Sequence, residues 1–422
     1  MLRILFKGWS CTFWRRLDVP ACESLDKSMK KMRIAILSRH DLSRLEPGDG
    51  IHTYNRIMAL ASRVDVILFV PYGYAPREMS SQMNVVQVSP PGMRFTLVLV
   101  QALVARRQDY DAIYSRDPTL IAFAVLMKFF GKRLIVEVNG IPSFQTRIRR
   151  VTRRVRAPGL TALICGIVWL AEAFAFRSAD LVLPITAKMR RLILRNYGVD
   201  PDKVVVVSNG VDTRVFTPLE DERTRIRREL GIENETVVLY FSTFSARWRG
   251  TDQLFEIAHH ITRRRRDIIF LILGSGPLLE KIKKKVPETR TQIRFVGAVD
   301  HTIVPFYINA TDIFVYDVSP GAYKLTEKEG PCPIKILESM ACAKPVIVPK
   351  ESQLEEILRE SSGGFSASSV QEIEALIERM ADSPNLAKSM GVKARQYVVV
   401  NHDLGFLATY TIELIQRTKA TP

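Results

Sequence analysis

Short apolar runs alternate with longer amphipathic stretches along most of this chain. Met32–Leu37 opens the series, a hydrophobic run of the length expected for a strand buried on both faces. Val64–Val70, Ala112–Tyr114, Leu134–Val138, Leu181–Leu183 and Val204–Val207 repeat the pattern, with helical stretches between several of them. A charged stretch from Thr217 to Glu235 reads as a connection between domains. A second series follows: strand Val237–Phe241, helix Asp252–Ile261, strand Ile268–Leu273, helix Leu278–Val286, and strands Ile293–Val296 and Ile313–Val315. Alternation of this kind predicts parallel sheets with helices on both faces. Two series predict two doubly wound, Rossmann-like α/β domains, at 32–215 and 216–400, with a last helix near Leu404–Gln416 inside a terminal stretch 401–422. Residues 1–31 lack the apolar core and cleavage site of a secretory signal and are expected to form a disordered leader.

The length of 422 residues fits two domains of this size. A composition that is 47% hydrophobic and 25% charged is that of a globular protein in water. Cys11, Cys22, Cys165, Cys332 and Cys342 form no CxxC pair and no metal-ligand spacing, so they read as reduced thiols of a cytoplasmic protein. The formal net charge of +17 favours anionic partners: nucleic acid, a membrane surface or a nucleotide-linked substrate. No nucleic-acid recognition motif accompanies the charge, and that partner is not expected. Part of the charge is local. Six arginines between Gln145 and Arg156 precede the apolar run Leu160–Phe176, which lies at the lower edge of a membrane-span length. Glu172 within the run, and the strand after it, predict a core helix with a basic approach. Docking of this surface on anionic lipid is the functional alternative, which Phe95–Ala105 beside Arg106 and Arg107 would share.

The densest chemical signal is Glu329-Gly330-Pro331-Cys332-Pro333-Ile334-Lys335-Ile336-Leu337-Glu338-Ser339-Met340-Ala341, leading into Lys344-Pro345-Val346-Ile347-Val348. Pro333 suits the first position of a helix, whose free N–H groups and dipole attract phosphate oxygens. Lys335 adds a full charge there, and Glu338, just under a turn further on, can accept ribose hydroxyls. The competing reading is a buried apolar stripe with Lys335 and Glu338 as a solvated pair. A loop Pro47-Gly48-Asp49-Gly50-Ile51-His52-Thr53 follows the first strand and precedes a helix from Tyr54 to Ala61. Gly48 and Gly50 let backbone approach a ligand, but no GxGxxG follows the strand, which disfavours a dinucleotide-binding oxidoreductase. Ser115-Arg116-Asp117-Pro118 occupies the strand end where open α/β sheets bind ligands, and Glu137 and Asn139 would line the same cleft. Arg116 either meets a phosphate or acidic acceptor or pairs with Asp117 to order its own loop.

These segments resemble the family 4 retaining glycosyltransferases. Pro333, Lys335, Glu338, Met340, Ala341, Lys344, Pro345, Val346 and Ile347 match that family's donor-binding region. Asn196-Tyr197-Gly198-Val199 with Val205 to Asp212 looks like the segment that ends its first domain, and Phe295–Val299 like a strand end beside the donor base. The resemblance implies a GT-B fold, two doubly wound Rossmann-like domains facing a cleft, with donor on the second, acceptor on the first and the final helix crossing back. It implies metal-independent transfer of a sugar from a nucleotide-diphosphate donor, with no separate cofactor. The acceptor implied is a glycan or polyprenyl-linked saccharide, met at the cytoplasmic face of a membrane. Arg249, Lys335, Arg116 and Asp117 take the catalytic positions. Gly48, Gly50, Gly274, Val299, Glu329, Gly330, Pro333, Ile334 and Glu338 surround the donor.

Three positions depart from the family pattern. Arg116 stands in a slot often held by histidine, and Thr243 or Phe244 stands in a slot usually held by arginine. The position paired with Glu338 is Gly330, with Glu329 one residue early. A catalytically impaired sugar-nucleotide-binding or scaffold protein, and a GT-B nucleotide-sugar epimerase, therefore stay open as alternatives.

Overall fold

The computed structural model describes residues 32–43, 49–144, 158–244, 251–284, 286, 291–316, 333–350 and 354–419. The leader, the arginine segment 145–157, Gly48, Arg249, Glu329 and Gly330 lie outside the described residues. Two parallel six-stranded sheets organise the rest. The first comprises β1 (Arg33–Leu37), β2 (Asp65–Val70), β3 (Asn84–Gln87), β4 (Ala112–Ser115), β5 (Arg133–Val138) and β6 (Leu181–Pro184), in the order β3-β2-β1-β4-β5-β6. The second comprises β7 (Thr236–Phe241), β8 (Ile268–Leu273), β9 (Ile293–Gly297), β10 (Ile313–Val315), β11 (Val346–Pro349) and β12 (Gly364–Ala367), in the order β12-β11-β10-β7-β8-β9. This is the doubly wound α/β class that the apolar periodicity predicts, and in each sheet the strand order reverses beside its first strand, where crevices for ligands open.

Three local expectations are corrected. Val204–Val207 is no ladder strand: it makes one bridge to Val182 and lies against β6 through bonds from Val205 N to Val182 O and Val207 N to Pro184 O. Conversely, β3 and β12 carry too few apolar residues to be read from the sequence. The glycine segment after β1 is not a loop up to Tyr54. Helix α1 spans Asp49–Ala61, so Gly50 to Thr53 belong to it, with Ile51 and Thr53 buried as its packing demands.

Helices α2 (Met93–Ala105), α3 (Pro118–Ala124, continued by a 3-10 turn over Val125–Phe130) and α4 (Pro158–Ser178) share one face of the first sheet. There Phe95, Leu99, Ile121, Ala175 and Phe176 pack onto Ala35, Leu37, Ile113 and Val136. The expectation that Leu160–Phe176 forms a core helix fails for much of α4, since Leu163, Ile167, Leu170 and Phe174 are exposed and only in its last two turns does one side, with Glu172, Ala173, Ala175 and Phe176, become buried. Period alone could not show this, because the helix is apolar on every side.

The opposite face carries α1 and the last helix, α7 (Leu404–Arg417), whose Leu407, Ala408, Ile412 and Ile415 join the core of Ile34, Ile36 and Ile57. Arg56 of α1 and Arg63, in the turn just past its end, pin it: Arg63 Nε donates to Thr409 Oγ1 at 2.9 Å and Arg56 Nη2 to Thr411 Oγ1 at 2.7 Å. In the second sheet, α5 (Ile334–Ala341) leads into β11 and is backed by α6 (Pro384–Asn401). Gly391 makes that contact close, because a Cβ there would stand 2.0 Å from the Ala343 carbonyl oxygen. Gly391→Ala is expected to cost roughly 1–3 kcal/mol by overpacking behind α5. Urea unfolding of the two proteins checks this.

Candidate active site

The first sheet contributes a buried charge network at the carboxyl ends of β4 and β5. Glu137, in β5, accepts from Arg56 Nε at 3.1 Å and Asn139 Nδ2 at 2.9 Å, and closely from the Tyr114 hydroxyl. Arg116 Nε stands 3.0 Å from the other Glu137 oxygen, a charge contact whose angle excludes a directed hydrogen bond, while its Nη1 donates to Thr53 Oγ1 at 2.7 Å. Burial pushes the Glu137 carboxyl up, but Arg56 and Arg116 outweigh it and hold it at about 2. The expected Arg116–Asp117 pair does not form. Asp117 instead caps α3, accepting from Thr119 N at 2.8 Å, and its other oxygen meets Arg39 Nε at 2.8 Å. Its fixed place turns Arg116 toward Glu137 and Thr53.

The second sheet contributes α5. Pro333 sits one residue earlier than expected, as the residue before the helix, with extended backbone, and Ile334 is the first helical residue. Lys335 and Glu338 are not a solvated pair. Lys335 Nζ donates to the Phe241 carbonyl at 2.9 Å and lies 5.1 Å from the centre of that ring, at the end of β7. Glu338 is buried and its Oε1 lies 2.9 Å from His301 Nε2, in the 3-10 turn just after β9. Burial pushes the His301 imidazole down, while its hydrogen bond to Glu338 and the charges of Glu338 and Asp300 push it up, and the net direction is upward. Gly274 has φ +119°, and a Cβ there would come 1.9 Å from the Ser242 carbonyl oxygen. Its missing side chain thus serves a contact between the loops after β7 and β8. Gly50 meets nothing closer than 3.7 Å, and Val299 is half-buried beyond β9.

His52, in α1, lies between the two sides. Burial pushes its imidazole down to about 3, aided by Arg116 of the first sheet and by His301 and Lys335 of the second, against Glu137. It is neutral at every physiological pH and within electrostatic reach of both walls. Sequence reasoning singled out neither His52 nor His301, and Arg56 and Tyr114 escaped it as well. A histidine close after Gly50, and another in the turn a few residues beyond a strand end, were the available signals. Among the described residues, no three His, Cys, Asp or Glu side chains are grouped to hold a metal ion.

Two Rossmann-like sheets whose ligand-binding ends meet at a cleft with a lysine, a buried glutamate and a neutral histidine define a GT-B architecture. Two family models match the chain, Glycosyltransferase Family 4 over residues 48–215 and Glycosyl transferases group 1 over residues 222–397. The chain belongs to the family 4 glycosyltransferases. It is 27% identical over 270 residues to an alpha-maltose-1-phosphate synthase of Mycolicibacterium smegmatis, covering 59% of this chain and 66% of the relative. It is 24% identical to the alpha-D-kanosaminyltransferase of Streptomyces kanamyceticus over 66% of this chain and 69% of that protein. A GDP-mannose-dependent alpha-(1-6)-phosphatidylinositol monomannoside mannosyltransferase of M. smegmatis is 26% identical over 50% of this chain and 61% of its own length. The chain thus spans about two thirds of the length of the curated relatives it matches. Among solved structures, Anabaena Alr3699/HepE in complex with UDP and glucose aligns with TM-score 0.67 at 17% identity, over 92% of this chain and all of that one. The sucrose-phosphate synthase of Thermosynechococcus elongatus aligns with TM-score 0.70 at 18% identity, over 92% and 99%.

Two outcomes test this geometry. Arg56→Ala leaves the Glu137 carboxylate underpaired in the interior and is expected to cost about 3–5 kcal/mol, much of it recovered in Arg56→Ala/Glu137→Gln, as read by denaturant unfolding. The raised His301 pKa means that its pairing with Glu338 stabilises the fold fully below the free histidine value of about 6.5 and loses that contribution as pH rises through the folded value. The stability difference between wild type and Glu338→Gln should therefore be largest near about pH 6 and shrink toward about pH 9.

Proposed function

We propose that the protein is a retaining glycosyltransferase that moves a sugar from a nucleotide-diphosphate donor to a glycan or polyprenyl-linked acceptor at the cytoplasmic face of a membrane. The observation that carries this reading is the placement of Lys335 and Glu338 on one helix, opposite His52 and Arg116 across the cleft. The unit 216–400 holds the donor, and the unit 32–215 with the final helix holds the acceptor. The diphosphate lies over the start of α5, where Pro333 and Ile334 bring backbone up to it and Lys335 exchanges the Phe241 carbonyl for a phosphate oxygen. Arg249, Glu329 and Gly330 complete that end, with Gly48, Gly50, Gly274 and Val299 around the nucleotide. Glu338 keeps His301 on Oε1 and offers Oε2 to the ribose. Charge on the leaving diphosphate is met by these groups, and the acceptor attacks from the same face with the leaving phosphate as base. Arg116 and the neutral His52 face the acceptor side, and Asp117 fixes Arg116 by holding the loop.

An impaired, donor-binding scaffold is the second reading, favoured by one observation: Phe244, in or next to the missing arginine slot, is fully buried and brings no charge to the phosphates. Thermal-shift screening against UDP, GDP, ADP and their sugar conjugates separates the two. A ligand that binds the native state raises its melting temperature. One nucleotide is expected to do so, with the shift lost in Glu338→Ala. Arg249→Ala is expected to lower turnover more than donor affinity, by about 10–100-fold in kcat. No shift with any nucleotide removes the donor-site assignment, and a shift without turnover on any acceptor supports the scaffold.

A further inference from the structure

The three helices on one face of the first sheet share an unusual outer surface. On α4, Leu163, Ile167 and Leu170 recur at helical spacing and face solvent, Leu163 being 62% and Leu170 61% exposed. Its early turns are exposed almost all round, so the helix stands proud of the domain before its last turns sink into the core. Beside it, the end of α3 and its 3-10 extension expose Leu126 and, at 87%, Phe129. On α2, Leu97 is 64% exposed. Exposed apolar side chains on three helices that pack side by side mark an interaction surface rather than single scattered residues.

The charge around it is one-sided. Across Met93–Ala105, Pro118–Phe130 and Pro158–Ser178 the sole carboxylate is Glu172. It is buried and satisfied by Ser143 N at 2.9 Å, the Ser143 hydroxyl at 2.5 Å and the Tyr197 hydroxyl at 2.7 Å. Cations are present: Arg107 lies 5.4 Å over the ring of half-exposed Phe130, and Arg94 is exposed at the start of α2. The helices carry no exposed acid, and Asp109 at their edge is paired with Arg106 at 2.9 Å, so an apolar surface edged by arginine repels little from an anionic bilayer and gains by burial in it. No helix among the described residues is long and apolar enough to cross a membrane.

We propose that this face docks the protein on an anionic phospholipid bilayer, the exposed turns of α4 and the Leu126–Phe129 edge entering the acyl boundary while Arg94 and Arg107 meet phosphate headgroups. Aromatic and arginine side chains suit that boundary, with an apolar body and a polar end. This deepens the proposed function by naming the surface that would bring the acceptor-side domain to a membrane, but it requires no transfer activity.

Flotation of the full chain with vesicles of phosphatidylcholine, with and without phosphatidylglycerol, tests it. Binding is expected to the anionic vesicles and to weaken several-fold with added salt while a residual apolar part remains. Leu163→Asp/Ile167→Asp/Leu170→Asp and, separately, Leu126→Asp/Phe129→Asp are each expected to lower partitioning more than about tenfold, with melting temperature unchanged, since these side chains bury little. The second variant stands as the test should the first not fold. Absence of anionic-vesicle binding overturns the proposal, as does equal binding by wild type and folded variants. Self-association of wild type that the variants abolish, without vesicle binding, also overturns it and assigns the face to a second copy. Flotation needs no nucleotide, so a failed thermal shift with intact vesicle binding counts against the transferase alone.

Discussion

A carboxylate buried under the cleft must be neutralised, and the first half of the molecule is arranged around that need. Glu137 ends a central strand in a place with almost no solvent, where an unpaired charge would cost several kcal/mol. Arg56 answers it from α1 and continues to Thr411 of the final helix, so one guanidinium ties a strand, the helix after the first strand and the chain's last helix. Arg116 answers it from the β4 loop and is braced by Thr53. Because the same arginine lines the cleft, it adds to the burial that keeps His52 neutral, against the pull of Glu137.

The second half meets its constraint differently. Its site helix is short and backed by α6, with Gly391 letting the Ala343 carbonyl approach. Among its polar side chains, Lys335 meets a backbone carbonyl and Glu338 a partly exposed imidazole. Such contacts can be exchanged for a ligand's oxygens at small cost, whereas the Glu137 network cannot be opened without stranding a charge. The apolar face lies on the side of the first sheet opposite α1 and α7, away from the helices that pin the final crossing.

The two strand series, the central strands and the α5-to-β11 motif were legible in the sequence because each rests on local pattern: β-branched runs for doubly buried strands, and a proline-led helix with charged residues in register. Edge strands β3 and β12 were not legible, since four residues with two apolar side chains carry too little signal without their neighbours. The glycine segment misled because Gly50 suggested a loop, whereas packing of Ile51 and Thr53 made it helix. Arg116 and Asp117 are adjacent in sequence, which suggested a pair, but the cap of α3 claimed one and Glu137 the other.

By itself the sequence determined the fold class, the two α/β series and the helix-to-strand form of the α5 segment, because periodicity and helix-start residues act over a few neighbouring positions. Tertiary structure alone decided which groups meet. His301 reaches Glu338 across 37 positions and Arg56 reaches Glu137 across 81. It also decided which side of a uniformly apolar α4 faces water, since a helix hydrophobic all round carries no mark of its exposed side, and only the layer it packs on can supply one.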